Sequence, residues 1–562
     1  MDRSQRRMKT AHSATKPNLC FRFILLLALF SLLLSACQPL GLRVEQVAAL
    51  ADLSSVRAPD CSYGGAIRSV EALDSYTVKF SLCAPDPAFP AKMAFPVFAI
   101  NDDAYLAEHG GDSRSMSAQP NGSGAYRVKE YTPGLSLTLE VNPDYWGVPP
   151  RLREIRFRWE ASPIYRLVEV INAYAQAIDR PDADMYYSIE QNADLRMVYR
   201  PSLNLALIGM NNRYPPFDDV RVRQGLSMLI DRGQIVSAAY PFSSSVAEQF
   251  LSPLFQVGHT PLLTWLPYDP QRGLDLLRQA GFDFNQELTL TYSNAGSDLF
   301  HDPHRVAQII RSQLLPYGVK VTLKRVDPKP FETSVQAGQV AFFLYGWNAD
   351  YPDPTSLFNT LFAPGSQLFG DAYPDVLDTA AQAGKTGDPG ERQRLYNQVN
   401  DLMLEHAPAI PLAHVSTAVV FRNEVQGVAV NQSVENMEEM TAPDQRLIFM
   451  QTQPPESLWP GDAVNGDTFR ITRLLYSTLV DYEYGSIGLR PSLAESWSAN
   501  PDQTEWTFNL RYGVRFTNGA VLDANDVVAS FAALWDAGNP NHRGDSGEFI
   551  IFRRFFGQLL NQ

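Results

Sequence analysis

Gly346-Trp347-Asn348-Ala349-Asp350-Tyr351-Pro352-Asp353-Pro354, read through as GWNADYPDP, is the stretch on which the reading of this chain turns. The apolar run before it, Val340 to Tyr345, is short and rich in β-prone residues, which predicts a buried strand ending at the motif. Ligands of open α/β sheets sit in the crevice beyond the carboxyl ends of strands, so a Trp and an Asp at this point are placed to meet one. Trp347 offers a flat apolar wall and Asp350 a fixed negative charge, which together suit a cationic group beside an apolar body. The same residues admit a structural reading, in which Asp350 and Asp353 cap a helix from Thr355 to Phe362 and the prolines set the turn. Capping accounts best for Asp353. The residues alone leave Asp350 between the two roles.

Moving outward, strand and helix alternate as in parallel βαβ units. Asp218 or Asp219 should cap a helix from Val220 to Ile230, and Tyr268-Asp269-Pro270 opens another that Gly281 stops. A strand from Leu288 to Tyr292 precedes a helix from His304 to Tyr317, whose Val306, Ile309, Ile310 and Leu314 form one stripe; Val319 to Val326 is the next strand. His301 and His304 have a spacing that tempts a metal reading, but Pro303 opens a helix between them and no third ligand is nearby, so no metal site is assigned. Further along, a helix from Glu391 to His406 leads to a strand from Thr417 to Arg422. The acidic, aperiodic stretch of about 432–444 reads as a linker. Arg446 to Gln451 and Glu505 to Leu510 read as strands, Phe469 to Val480 as a helix. Asp523 caps a last helix with Val527, Val528, Phe531, Leu534 and Trp535 on one face.

No Gly-x-Ser-x-Gly elbow, His-Glu-x-x-His pair or Walker loop occurs, and the Gly-rich Pro120 to Val128 has no Lys close behind it and opens no helix. The chain carries no recognisable catalytic constellation and implies no cofactor. At 562 residues it is long enough for more than one lobe.

The amino terminus reads as a targeting segment. Arg3, Arg6, Arg7, Lys9, Lys16 and Arg22 precede an apolar run from Phe23 to Leu34, and Leu34-Ser35-Ala36-Cys37 resembles a bacterial lipobox, implying cleavage before Cys37 and lipid on that cysteine. Loss of 1–36 removes six of the 47 basic and one of the 61 acidic side chains, leaving 41 against 60, so the net charge moves from −14 to −19. Such a surface disfavours nucleic acid and tolerates cationic or zwitterionic ligands. Cys20 leaves with the signal segment, so the thiols that remain free are Cys61 and Cys83. They flank two β-patterned runs, Ala66 to Ala72 and Tyr76 to Leu82, whose pairing as a hairpin would bring them together as a disulfide.

Seven motifs together resemble the bacterial solute-binding proteins of the oligopeptide, dipeptide and nickel transporter family: PNGSGAYRV (120–128), NPDYWG (142–147), PPFDDVRVRQGLSMLIDR (215–232), YDPQRGLDLLRQAGF (268–282), GWNADYPDP (346–354), LRPSLAESWS (489–498) and WTFNLRYGVRFTNGAVLDANDVVASF (506–531). Each alone is loose; their conjunction is specific. In the family the segment resembling 445–540 comes first and that resembling 61–430 follows, whereas here the order is exchanged and each occurs once. The resemblance therefore implies a circularly permuted α/β clamp of two hinged lobes with a smaller peripheral subdomain, the periplasmic-binding-protein architecture.

Carried across, the layout is 1–36 signal peptide, 37–60 tether, 61–115 and 481–562 the two parts of the peripheral subdomain, 116–205 and 415–480 the first lobe, and 206–414 the second. Thr507 to Leu510 should then pair with Tyr76 to Leu82 in one sheet. The resemblance also implies that Asp350 takes the ammonium of a peptide-like solute beside Trp347, with Asn348 and Tyr345 as further ligand-binding candidates. Leu344 and Tyr345 stand where some relatives carry an arginine for the ligand carboxylate. The expected protein is a monomeric, lipid-anchored, extracytoplasmic receptor that hands its solute to an ABC transporter permease. Oligosaccharide or metal-chelate binders and a sensor lipoprotein are the alternatives on the same scaffold.

Overall fold

A computed structural model describes residues 53–562 other than Pro364 and Ala372. The signal segment 1–36, Cys37 and 37–52 of the expected tether lie outside the described residues. Ser55–Arg57, expected within the tether, instead forms an edge strand on Ile67–Asp74, with Val56 opposite Val70.

Three sheets carry the molecule. A seven-stranded sheet has the order Tyr126–Thr132, Ser136–Val141, Glu154–Trp159, Arg446–Gln451, Ala177–Asp179, Ala418–Arg422, Leu195–Tyr199. A six-stranded sheet has the order Ser245–Val246, Ala409–His414, Asn204–Met210, Phe342–Asn348, Glu287–Ser293, Lys320–Val326. In the second, Glu287–Ser293 runs parallel to both neighbours, as the βαβ pattern predicts, with the helix Pro303–Leu314 as crossover. Its Val306, Ile310 and Leu314 are buried against the sheet.

The two large sheets belong to two lobes that the chain links at 200–203 and 415–417. These crossings lie side by side. The Arg200 amide donates to Thr417 O at 2.9 Å, and the Asn204 side chain both donates to Val415 O at 2.8 Å and accepts from its amide at 2.7 Å. Paired crossovers of this kind form a hinge, since few backbone torsions separate the two bodies.

The third sheet joins opposite ends of the sequence. Its order is Ser55–Arg57, Ile67–Asp74, Thr77–Leu82, Glu505–Leu510, Ala494–Ala499, and Trp506 lies opposite Phe80. Thr507 to Leu510 thus run beside the Tyr76 to Leu82 hairpin arm, as the motif order predicts. Phe80, Phe508 and Phe531 meet edge to face beneath it. The sulfurs of Cys61 and Cys83 are bonded across the base of the hairpin, with Cα atoms 5.5 Å apart. Close by, the Ala66 amide donates to Phe556 O at 2.7 Å.

Two further sequence expectations change within these lobes. The helix expected from Phe469 to Val480 spans Gly466–Leu475, and Val480–Tyr482 is a strand paired with Leu489–Pro491. The helix ends where Leu475 O accepts the Gly124 amide at 2.9 Å, a tertiary contact that periodicity does not register. A Cβ at Gly124 would lie 2.4 Å from Leu474 O, so PNGSGAYRV uses its glycine for close backbone approach. The second change concerns 432–444. It is irregular but not a solvated linker: Val434, Glu435, Asn436, Met437 and Met440 are all buried.

Candidate functional site

The strand before the motif runs to Asn348, three residues beyond the Tyr345 expected from its apolar character, because pairing with Asn204–Met210 continues to Asn348 opposite Asn204. Its side chains alternate. Phe342 and Leu344 enter one core of the second lobe, while Phe343, Tyr345 and Trp347 pack toward the other, which also holds Leu357, Phe358 and Leu361 of the helix Pro354–Leu361. That alternation puts Tyr345 and Trp347 on one face as the strand reaches the gap between the lobes.

Beyond it the two acids part. Asp353 is the helix N-cap, accepting from the Thr355 amide at 3.0 Å and Thr355 Oγ1 at 2.7 Å, and it takes Arg392 Nη2 at 2.8 Å. Burial works against its charge, but Arg392 and the cap outweigh it and hold the carboxyl below the ordinary aspartate range. Asp350 caps nothing. Its amide is held by Ser356 Oγ at 2.8 Å, and among the described residues its carboxylate meets one partner, Arg554 Nη1, at 3.3 Å. With a side chain only 15 % exposed, its carboxyl is pushed up by burial, and Arg554 offsets this only in part.

Tyr345, Trp347, Asn348 and Asp350 come together on the wall of a cavity of about 380 Å³, which Asp298, Glu332 and Arg554 also line. Asn348 and Asp350 further line a larger cavity of about 1030 Å³ on their other side. That cavity is walled by Tyr145, Trp146, Phe469 and Tyr476 from the first lobe and carries Glu438, Arg473, Asp481 and Arg490. Most of these charges are already matched: Arg473 meets Glu438 at 3.0 Å, and Arg490 meets Asp481 at 2.7 Å. The Trp347 indole N–H is buried without an acceptor among the described residues. A volume of this order, with aromatic walls and a few fixed charges, is that of a small-molecule site.

Charges also cross the gap between the lobes. Arg180, next to the strand Ala177–Asp179, reaches Asp298 at 3.3 Å, and Arg305 reaches Asp184 at 4.0 Å. Beside the hinge, Arg470 donates to Glu435 at 2.8 Å and Asp467 at 2.7 Å and also meets Asp179, while Arg200 bonds Glu435 and Asp179. This wholly buried set holds the 432–444 segment onto the first lobe.

Sequence reasoning missed Arg554, Asp298 and Glu332, which share no motif with the GWNADYPDP stretch; the only cue was a pair of arginines inside the apolar 549–556 run. The two histidines with metal-like spacing do not act together: His304 Nδ1 contacts Tyr292 OH at 2.5 Å, and His301 is half-buried. Asp102, Asp103 and Asp526 do cluster, yet Asp102 caps the helix Asp103–His109 and Asp526 belongs to the capping box of the helix Ala524–Trp535.

The family model described as bacterial extracellular solute-binding proteins, family 5 Middle, matches residues 46–368 and 488–550, more than half of the chain. The chain belongs to this family. This family 5 solute-binding protein is similar to the dipeptide-binding protein of Escherichia coli (strain K12), 24% identical over 372 residues covering 65% of this chain and 69% of that one. It is 28% identical over 385 residues to di/tripeptide-binding protein 4 of Pseudomonas aeruginosa (strain UCBPP-PA14), covering 66% and 71%. Among solved structures, that of HbpA2 from Haemophilus parasuis matches with a TM-score of 0.59 at 25% identity, covering 65% of this chain and 73% of that one. As a family 5 solute-binding protein the molecule is a two-lobed α/β binder and not an enzyme. No helix of the described residues is long and apolar enough to cross a membrane.

Proposed function

We propose that this protein captures a peptide-like solute between its two lobes, with Asp350 answering the solute's ammonium and Trp347 its apolar body, and delivers it to an ABC transporter permease. One observation carries the reading. A buried carboxylate between the interlobe cavity and a smaller one closed by Arg554 has a single 3.3 Å contact among the described residues, beside an aromatic face, while its neighbour Asp353 takes three donors from its own helix and an arginine. The named relatives bind dipeptides and tripeptides, which present such an ammonium. Tyr345 and Asn348 line the same wall and would contact the solute on either side of Asp350. Closure of the lobes on ligand would be a population shift driven by contacts made only in the closed form.

The reading extends to the whole chain. Cys37 is the lipid attachment point and residues before it are the signal segment, so the receptor is held at the membrane surface as a monomer. The chain is a circular permutation of the family order, with 432–444 joining the usual ends. Support comes from the sheet shared by 55–82 and 494–510, and from the Gly65–Gly557 bridge that brings the present ends of the fold together. A gene opened near Asp444, with Gln562 joined to Leu53 through a short linker, should therefore give a protein of the same fold and affinity.

Calorimetry with a mixed dipeptide library tests the central claim. Asp350→Ala should lose about 2–4 kcal/mol of affinity with the fold intact. Equal affinity in both forms would overturn the assignment.

A further inference from the structure

Arg554 is the one cationic side chain among the described residues lining the smaller cavity, and the functional reading leaves it without a role. It stands on the helix Ile550–Phe556, whose Phe552, Phe555 and Phe556 pack around Phe98 at 5.3 to 6.2 Å between ring centroids. Phe555 also meets Tyr351 of the motif itself at 5.0 Å. The helix is thereby fixed against the 346–354 segment, and Arg554 is aimed at it. Its guanidinium lies 5.1 Å from the Trp347 ring centroid and donates to Asp350 at 3.3 Å. These are the two contacts that the sequence assigns to a ligand's cationic group: an aromatic face and a carboxylate.

The attachment is loose by the standard of the same molecule. Arg392 reaches Asp353 at 2.8 Å and spends its Nε–H on Ala383 O at 3.0 Å, so its fork is held on two sides in a buried setting. Arg554 makes one end-on contact, longer than the usual range for a charge-assisted hydrogen bond, and has no other acceptor among the described residues. Its side chain is 34 % exposed, so the guanidinium can withdraw to water without being stranded. While it stays, it spares the cleft an unpaired, desolvated carboxylate.

We propose that Arg554 is a resident cation in the ligand's place: an ammonium-bearing solute binds by displacing its guanidinium from Asp350 and Trp347. This inference rests on the assignment of Asp350 as the ammonium partner. Affinity is then the difference between two cations competing for one carboxylate, and a solute without a free ammonium gains nothing from the exchange.

The test uses the full-length protein and two probes, a mixed dipeptide library with free amino termini and the same library N-acetylated. Calorimetry of Arg554→Gln should show the free-amino library bound about tenfold tighter than by the unaltered protein, as expected when a partly exposed competing ion pair is removed, with the acetylated library unchanged. Weaker or equal binding of the free-amino library by Arg554→Gln overturns the proposal, and weaker binding would mean that the guanidinium holds the ligand itself. Asp350→Asn separates the two claims. If it leaves free-amino binding unaltered, the assignment of Asp350 fails; if it weakens binding while Arg554→Gln changes nothing, only the resident cation fails. Should Arg554→Gln not fold, Arg554→Lys is read in its place: a smaller gain is expected, and no gain or a loss overturns the proposal.

Discussion

Asp350 and Asp353 stand three residues apart in one motif, and their surroundings send them opposite ways. Asp353 faces inward, where the helix N-terminus and Arg392 bring three donors to its Oδ1. Asp350 faces the gap between the lobes, where burial removes water and supplies one distant guanidinium in exchange. The first carboxyl is held low and the second is pushed up. A carboxylate that takes three donors from its own chain on one oxygen, among them a buried guanidinium, is committed to the fold. One desolvated but under-partnered has interaction energy to give to whatever brings it a cation.

The contrast can be broken in several ways. The largest effect belongs to the capping acid: Asp353→Ala strands the buried Arg392 guanidinium and should cost about 3–5 kcal/mol of stability in urea denaturation. Asp350→Ala acts on the other observable, with the affinity loss given above and a stability change below about 1 kcal/mol, because its partner is a single, partly exposed arginine. Comparable destabilisation by the two substitutions would erase the distinction.

Acidification should separate the two acids within one sample. Asp353 has a folded pKa below its unfolded value near 3.8, so its stabilisation is complete above that value and is lost only as pH falls through the lower folded one. Asp350 in the ligand-free protein has a pKa above 3.8, and an ammonium ligand needs it ionised. The free protein therefore binds the extra proton, and affinity falls as pH drops through that raised pKa, by at most about 1.4 kcal/mol per pH unit. Binding should fade while the fold is still intact, which paired calorimetry and circular dichroism can follow. Loss of fold before loss of binding would contradict the assignment.

The smallest effect concerns Ser356, whose hydroxyl holds the Asp350 amide. Ser356→Ala should lower affinity by about 1 kcal/mol through a less well oriented carboxylate, again by calorimetry. An effect as large as that of Asp350→Ala would mean that the hydroxyl itself meets the solute.

Much of this was legible along the chain. Apolar periodicity placed the helices at 220–230 and 524–535 and the strands at 319–326 and 446–451 within a few residues, because each buries one face on a sheet. The exchanged motif order foretold that Thr507 to Leu510 would pair with Tyr76 to Leu82, which no local signal contains, and Thr507 does lie opposite Lys79. Other features were hidden for physical reasons. Composition ends the strand at Tyr345, yet the ladder with Asn204–Met210 carries it to Asn348, and an acidic stretch near Glu435 reads as solvated until Arg200 and Arg470 are seen to bury it.

What the sequence determined by itself is the chemistry available at the cleft: an indole and two carboxylates at a strand's end, with prolines that force a turn and a helix start after them. Which carboxylate the fold itself uses and which is left under-partnered at the cleft was decided only by tertiary structure. The deciding partners, Arg392 and Arg554, arrive from distant parts of the chain; each makes one contact, and what separates the two acids is that the first is short, buried and joined by a helix cap while the second is long and partly exposed.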